Sequence, residues 1–234
     1  IYMGLHTGGA VDHFAFKYFL GPPSPGLSSQ GSSGITARGP LGGLQIGGNY
    51  EFSLFPFFHI PLYHIVAGIE IDDSAADITG QATVSNDIRS RLPYNATFGT
   101  RVEDFGTGRL RLGYAFGRFL PYATGGFAFA VTETYYNFSS PMFIASGAST
   151  VLRSGWPAHV GCIGMGAEYA ITPSLSAKAE YVYVGINARR TLFSSGDDTL
   201  VSFGTRTMFH VIRLGLNYKF DLFSPSPPPV AARY

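Results

Sequence analysis

The feature that most constrains the fold is a strict two-residue alternation near the end of the chain. Along residues 210–220 one face is apolar and the other polar or small: His210, Ile212, Leu214, Leu216, Tyr218 and Phe220 against Val211, Arg213, Gly215, Asn217 and Lys219. A period of two indicates a β-strand between two different environments. The apolar face of such a strand points to a core in a soluble sandwich and to lipid in a transmembrane barrel, so the other segments must decide.

The same alternation recurs along most of the chain. It is clear in the segments 44–54, 63–72, 109–116 and 175–184, and weaker in 119–132 and 158–171. With the opening stretch 1–10 and the strand at 210–220, these segments predict eight strands. Each is close to the length that a tilted strand needs to cross a bilayer. The mean hydropathy of +0.13 is low for a helical membrane protein but agrees with a barrel, whose apolar residues occupy alternate positions only.

The connections between the predicted strands alternate in length. Short, turn-rich connections are predicted at 55–60, 117–118 and 172–174, and long polar loops at 12–40, 73–99, 134–156 and 185–206. Alternation places the long loops at one rim and the tight turns at the other, which is the layout of a barrel with periplasmic turns and extracellular loops. Aromatic residues flank both kinds of connection, as expected of two interfacial belts.

Composition excludes several classes of protein. A formal net charge of +1 argues against a nucleic-acid partner, which usually requires a basic patch. A single cysteine, Cys162, excludes an intrachain disulfide and is predicted to be a buried thiol on the inward side of its strand. The chain opens on strand-like residues, so we expect a mature form from which a signal peptide has been removed.

Three segments carry a resemblance to a known family. They are RLRLGYAFGRFLPYATGGFA at 109–128, GMGAEYAITPSLSAKAEYVYV at 164–184 and IRLGLNYKF at 212–220. They resemble the OmpA-like, porin-like small outer-membrane proteins, which include surface immunogenic and hemin-binding members. The resemblance covers most of residues 40–220 and implies an all-β, eight-stranded antiparallel up-and-down transmembrane barrel in the bacterial outer membrane. Phe220 resembles the terminal phenylalanine read by the barrel-assembly machinery, but here residues 221–234 follow it.

The alternation assigns side chains to two faces. A lipid-facing set is predicted at Leu112, Phe127, Phe129, Ile212, Leu214 and Leu216. The inward set is charged and nearly balanced: Glu51, Glu70, Asp72, Arg109, Arg111, Glu168, Lys178, Glu180, Arg213 and Lys219. A barrel of eight strands is only wide enough for side chains to fill it, so we expect an ion-pair network that plugs the lumen in place of a hydrophobic core.

A catalytic or metal-binding constellation is difficult to find. No histidine lies in a His-x-Ser pattern, and His64 is about 20 Å from Glu70 at strand spacing. His59 and His64 flank a short turn, and a pair of histidines can hold a metal ion or heme iron, as can His13 in its loop. Interfacial or interior polar residues are the simpler interpretation, so the sequence predicts no catalytic residue, metal or cofactor.

The chain divides into a barrel at residues 1–220 and a proline-rich periplasmic tail at 221–234. The tail cannot continue a strand, because proline removes ladder donors. We expect it to dock on its own barrel rim or on a neighbouring envelope protein through Pro225, Pro227, Pro228, Pro229 and Tyr234. Outward phenylalanines at positions 127 and 129 are a candidate contact with a second barrel, which would make a homo-oligomer.

The favoured function is a structural or interaction barrel of the cell envelope that contacts outer-membrane lipid and lipopolysaccharide and exposes its loops at the cell surface. Two alternatives remain open. One is a narrow porin or a barrel that binds a small ligand or heme. The other is a lipid-modifying enzyme, which would need a carboxylate–His–Ser cluster.

Overall fold

The computed structural model describes residues 1–21, 29–54, 62–86, 94–139, 149–155, 160–194 and 200–220. The regular structure in these ranges consists of nine β-strands: β1 (Tyr2–Gly21), β2 (Ser29–Leu54), β3 (Leu62–Asn86), β4 (Tyr94–Tyr114), β5 (Phe119–Ser139), β6 (Ser149–Gly155), β7 (Val160–Ala170), β8 (Leu175–Ser194) and β9 (Leu200–Lys219). No helix within the described ranges has the length and apolarity needed to cross a membrane.

The strands form a closed ring. Neighbours in sequence other than β6 and β7 pair in antiparallel fashion, and β9 returns to pair with β1. β6 and β7 both pair with β5 and together occupy one position of the ring. The prediction of an all-β, eight-stranded antiparallel up-and-down barrel is confirmed.

The ring closes with a stagger. The stagger is seen by starting at Tyr2 and moving from each residue to its paired residue on the next strand. This path passes through Gly47, Glu70, Arg109, Gly126, Cys162, Val184 and Phe209. Tyr2 also pairs directly with Lys219, ten residues beyond Phe209 on β9. Such a stagger tilts the strands relative to the barrel axis. Side chains far apart in register therefore lie at the same level inside the lumen.

One rim of the barrel, here called the turn end, carries tight connections. Between β4 and β5, Phe116 and Phe119 exchange backbone hydrogen bonds of 2.7 and 3.1 Å. Gly117 has a φ of 61°, which glycine adopts without the steric cost that a Cβ would bring. The short turn predicted at 117–118 is confirmed.

The opposite rim, here called the hairpin end, differs from the prediction. The segments 12–40, 73–99, 134–156 and 185–206 were expected to be loops, but strands continue through much of each one. The loop prediction was wrong there because the hydrogen bonds between strands are made by backbone N–H and C=O groups. Polar residues carry these groups just as apolar residues do, so polar segments in register can also form strands. The remaining parts at 22–28, 87–93, 140–148, 156 and 195–199 lie outside the described residues.

The outer surface is apolar. Large aliphatic side chains more than 60% exposed occur on six different strands: Leu5, Leu44, Ile69, Leu110, Ile163 and Leu214. A belt of this kind would be unfavourable in water and is favourable against lipid.

The lumen contains a hydrophobic core as well as charges. Its hairpin-end half holds a cluster of buried residues, here called the apolar layer, which includes Ile78, Phe98, Val102, Phe105, Val184, Phe209 and Val211. The rings of Phe105 and Phe209 stack with centroids 6.2 Å apart. The expectation that ion pairs replace a hydrophobic core was therefore wrong for this half, because the inward positions beyond Arg213 on β9 are apolar. Cys162 lies in this layer and is 2% exposed.

Candidate functional site

Eight charged side chains from five strands point into the turn-end half of the lumen and form one cluster, here called the charged layer. Its members are Glu70, Asp72, Glu168, Glu180, Arg109, Arg111, Lys178 and Arg213, each at most 4% exposed. Many of them come in pairs two residues apart on one strand, and this spacing directs both side chains to the same face. The layer holds four carboxylates and four cations, so it is balanced in charge.

Arg109 is the central cation of the charged layer. Its Nη2 lies 2.6 Å from Glu70 Oε1 and 3.0 Å from Asp72 Oδ2, and its Nη1 lies 2.8 Å from Glu180 Oε1. The planar guanidinium presents several donors in a fixed fork, which lets one side chain connect β3 and β8 across the lumen.

Arg213 completes a closed circuit of alternating charge. Its Nη1 donates to Asp72 Oδ1 at 2.7 Å, and its Nε donates to Glu180 Oε2 at 2.8 Å. Asp72 and Glu180 therefore each accept from both Arg109 and Arg213. Lys178 extends the circuit, with its Nζ 2.8 Å from Glu70 Oε1.

Arg111 forms the part of the charged layer nearest the turn end. It pairs with Glu168 and lies over the ring of Tyr122, with its guanidinium carbon 3.7 Å from the ring centroid. Ser176 donates a further hydrogen bond to Glu168. The cation is thus held by a carboxylate and by the face of an aromatic ring.

Three neutral side chains also donate to the charged layer, and they were not predicted from the sequence. Tyr2 donates to Glu70 Oε2 at 2.7 Å, Thr107 donates to Asp72, and Tyr122 donates to Glu180 Oε1 at 3.3 Å. All three occupy inward positions of their strands, so the alternation itself carried the signal for them.

Close pairing within the charged layer satisfies the requirements of buried charge. Burial of eight charges carries a desolvation penalty that only close, well-oriented pairing offsets. Each carboxylate of the layer accepts from at least one cation at a contact of 2.8 Å or less.

Two residues predicted for this network lie at the rim of the lumen, outside the buried charged layer. Glu51 is exposed at the turn-end rim, where its Oε1 lies 2.6 Å from His64 Nδ1. Lys219 is half-buried and lines a cavity of about 310 Å³ at the same rim, together with Asn49, Arg118 and Glu168. The prediction was wrong for Glu51, because strand alternation fixes the face of a residue but not its depth, and Glu51 lies where the lumen opens. Lys219 faces inward as predicted and its positive charge acts on Glu168, but it lies at the rim of the network and not in its buried centre.

The predicted lipid-facing residues lie on the outer surface. Leu112, Ile212, Leu214 and Leu216 are each more than half exposed, as is Phe127, while Phe129 is half-buried. The rings of Phe127 and Phe129 lie against Gly108 and Gly106 of β4, where a Cβ would clash with them. These rings therefore cover the glycines of their own barrel.

The histidines are arranged differently from the sequence-based pairing. His64 pairs with Glu51, and His59 lies outside the described residues, as do all the tail residues 221–234. His13 lies beside His210, with ring centroids 6.5 Å apart on the outer surface. This pair was missed because the two residues are almost 200 positions apart in sequence and meet only through the closure of β9 on β1. Within the described residues, no group of three or more His, Cys, Asp or Glu side chains is arranged to hold a metal ion.

Comparison with known proteins agrees with this architecture. The model of the outer membrane protein beta-barrel domain family matches residues 19–220. The 31 kDa outer-membrane immunogenic proteins of Brucella melitensis and Brucella suis are each 32% identical over 220 residues, covering 94% of this chain and 82% of the relative.

Solved barrels are also similar. Ail of Yersinia pestis has a TM-score of 0.26 and 13% identity, with coverage of 89% of this chain and 97% of its own. Neisserial surface protein A has a TM-score of 0.26, 12% identity, and coverage of 91% and 97%. AlkL, determined in lipid bilayers, has a TM-score of 0.37, 17% identity, and coverage of 94% and 93%.

Proposed function

Because the chain belongs to the outer membrane protein beta-barrel family and is an outer-membrane protein, we propose that it is a closed structural and interaction barrel. In this proposal the lumen is sealed, the hairpin end is exposed at the cell surface, and the protein performs no catalysis. The observation that carries the proposal is the charge-balanced circuit of Asp72, Arg109, Glu180 and Arg213.

Two successive barriers in the lumen support the sealed state. A solute entering from the turn end meets the charged layer, whose members are at most 4% exposed. Beyond it lies the apolar layer, in which Val102 and Val211 are fully buried. An ion that passed the first barrier would lose its hydration in the second, which costs several kcal/mol or more.

Surface exposure of the hairpin end is supported by the length of its strands and by the relatives. β2 and β3 are 26 and 25 residues long, more than twice the roughly 9–11 residues that cross a bilayer. The excess projects beyond the membrane on one side, because the opposite end carries tight turns. The Brucella relatives are described as immunogenic, which agrees with exposure at the cell surface.

Lipid is the first partner in this proposal, through the aliphatic belt and through contacts of the outer rim with lipopolysaccharide. The barrel-assembly machinery would act during biogenesis. The tail at 221–234 is proposed to dock on the rim or on a neighbouring envelope protein. Deleting it should leave a heat-modifiable barrel that loses its partner in gentle-detergent pulldowns, and identical co-purification with and without the tail would contradict tail docking.

Planar-bilayer recording tests the sealed lumen. The wild-type barrel should show no steady porin-sized current. Simultaneous Arg109→Ala and Arg213→Ala changes should raise conductance in the fraction that is folded by heat-modifiable mobility. Arg101→Ala is the matched control, since Arg101 pairs with Asp77 at the exposed surface. Steady large currents through the wild-type protein would refute the proposal whether or not the double variant folds.

Epitope insertion tests the orientation. A tag inserted between β3 and β4 should bind antibody on intact cells, whereas the same tag at Gly117 should require permeabilised cells. The reverse pattern would contradict surface exposure of the hairpin end.

A further inference from the structure

The outer surface near the hairpin end holds a pair of histidines for which the sealed-barrel function has no use. His13 on β1 and His210 on β9 face outward, and their ring centroids are 6.5 Å apart. They are diagonal neighbours, because Val11 pairs with His210 and Asp12 with Phe209. Diagonal positions on paired antiparallel strands are close enough for long or aromatic side chains to share a ligand.

Each imidazole already has a hydroxyl partner on one nitrogen. His210 Nδ1 lies 2.7 Å from Tyr181 Oη, and His13 Nδ1 lies 3.3 Å from Thr36 Oγ1. A hydroxyl oxygen can accept from an Nδ1–H, and this tautomer leaves the Nε2 lone pair available. In metal sites, the ligating histidines are held in place by hydrogen bonds of this type from their other ring nitrogen.

We propose that His13 and His210 form a surface site for a first-row divalent transition-metal ion, with both Nε2 atoms as ligands and with Tyr181 and Thr36 as positioning residues. Nitrogen ligands at about 2.0–2.1 Å place each ring centre roughly 3 Å from the ion, so the centres would be about 5–6 Å apart. A small rotation of the exposed His13 side chain would shorten the observed separation of 6.5 Å between the ring centroids to this distance.

The ligand chemistry selects the class of ion. Imidazole suits copper, nickel and zinc, whereas magnesium and calcium prefer oxygen ligands. Two protein ligands leave other positions of the ion open to water or to an anionic oxygen, unlike a structural zinc site, in which four protein ligands surround the ion. The site therefore binds its ion exchangeably at the surface and is not required for folding.

Titration of the full-length barrel, folded in detergent and purified without a polyhistidine tag, tests the site. Copper, nickel and zinc ions should bind at one per chain, with copper tightest, and magnesium and calcium should not compete. His13→Ala and His210→Ala should each weaken copper binding strongly. Tyr181→Phe should weaken it by about tenfold or more, the usual cost of losing a hydrogen bond that orients a ligating histidine. His64→Ala is the matched control, because this exposed histidine lies at the opposite rim against Glu51.

Electron paramagnetic resonance of the copper-loaded protein supplies a readout that a structural role would not change. Two coordinated imidazoles are expected in the wild type and one in each single variant. Heat-modifiable mobility checks that every variant is folded. Copper affinity and imidazole count that remain unchanged when both histidines are replaced would overturn the site, as would equal losses in the His64→Ala control.

Discussion

The charged and apolar layers occupy the same lumen and share five strands, but they depend on different physical interactions. On β9 the change takes two residues, from Val211, fully buried among aliphatic and aromatic side chains, to Arg213, buried against Asp72 and Glu180. Apolar contacts are non-directional and scale with the area removed from water. Ion pairs depend on direction and on every partner being present. We therefore expect the apolar layer to tolerate repacking and the charged layer to lose stability when any one partner is removed.

The largest effect is expected from removal of the central cation of the charged layer. Arg109→Ala leaves Glu70, Asp72 and Glu180 without one of their donors, and breaking a buried pair in this way typically costs about 3–5 kcal/mol. Urea unfolding followed by heat-modifiable gel mobility measures the loss. Arg101→Ala, at an exposed pair, should cost less than about 1 kcal/mol. Equal losses of stability for the two changes would mean that the buried ion pairs of the charged layer contribute no more to stability than an exposed pair does.

The second-largest loss of stability is expected on the outer face of β9, the strand whose inward face contributes to both layers. Leu214 is 61% exposed to the membrane, and Leu214→Arg should cost roughly 2–4 kcal/mol if it lies near the midplane. Tyr218→Arg, on the same face near the turn end, should cost only about 0–1 kcal/mol, because the penalty falls towards the interface. Unfolding in lipid vesicles measures both, and the reverse order would invalidate the assigned depth.

A smaller effect should distinguish the apolar layer from the lipid belt. Ile78→Val removes one methylene from a side chain that is 1% exposed in the lumen and should cost about 0.5–1.5 kcal/mol. Ile71→Val, on the same strand but facing lipid, should cost less because lipid fills the space. Paired unfolding curves measure the difference, and an equal loss at both positions would show that the apolar layer is loosely packed.

The smallest effect is expected at the turn-end rim. Glu51→Gln weakens the contact with His64, but both side chains are more than half exposed, so stability should change by less than about 1 kcal/mol. Added salt should reduce even this difference. A loss comparable to that of Arg109→Ala would place Glu51 in the charged layer after all.

Much of this molecule was predictable from alternation alone. The strand number, the inward direction of Arg109 and Arg213, and the outward direction of Leu112 and Leu214 follow from a period of two, because neighbouring side chains on a strand point to opposite faces. The partners within the lumen were not predictable, since alternation carries no information about which inward residues share a level. Glu51 and Lys219 illustrate this. Alternation predicted their face correctly, but it could not predict that both lie at the rim of the lumen.

Sequence by itself determined that this chain would form a barrel with an apolar exterior and a polar component inside, because only a closed ring satisfies such strands in a membrane. Tertiary structure alone decided the rest. The ten-residue stagger brought Asp72, Arg109, Glu180 and Arg213 to one level, and the apolar layer around Phe105 and Phe209 lies nearer the hairpin end. Closure of β9 on β1 placed His13 beside His210. Such neighbours depend on how distant strands are shifted against one another, and local sequence does not encode that shift.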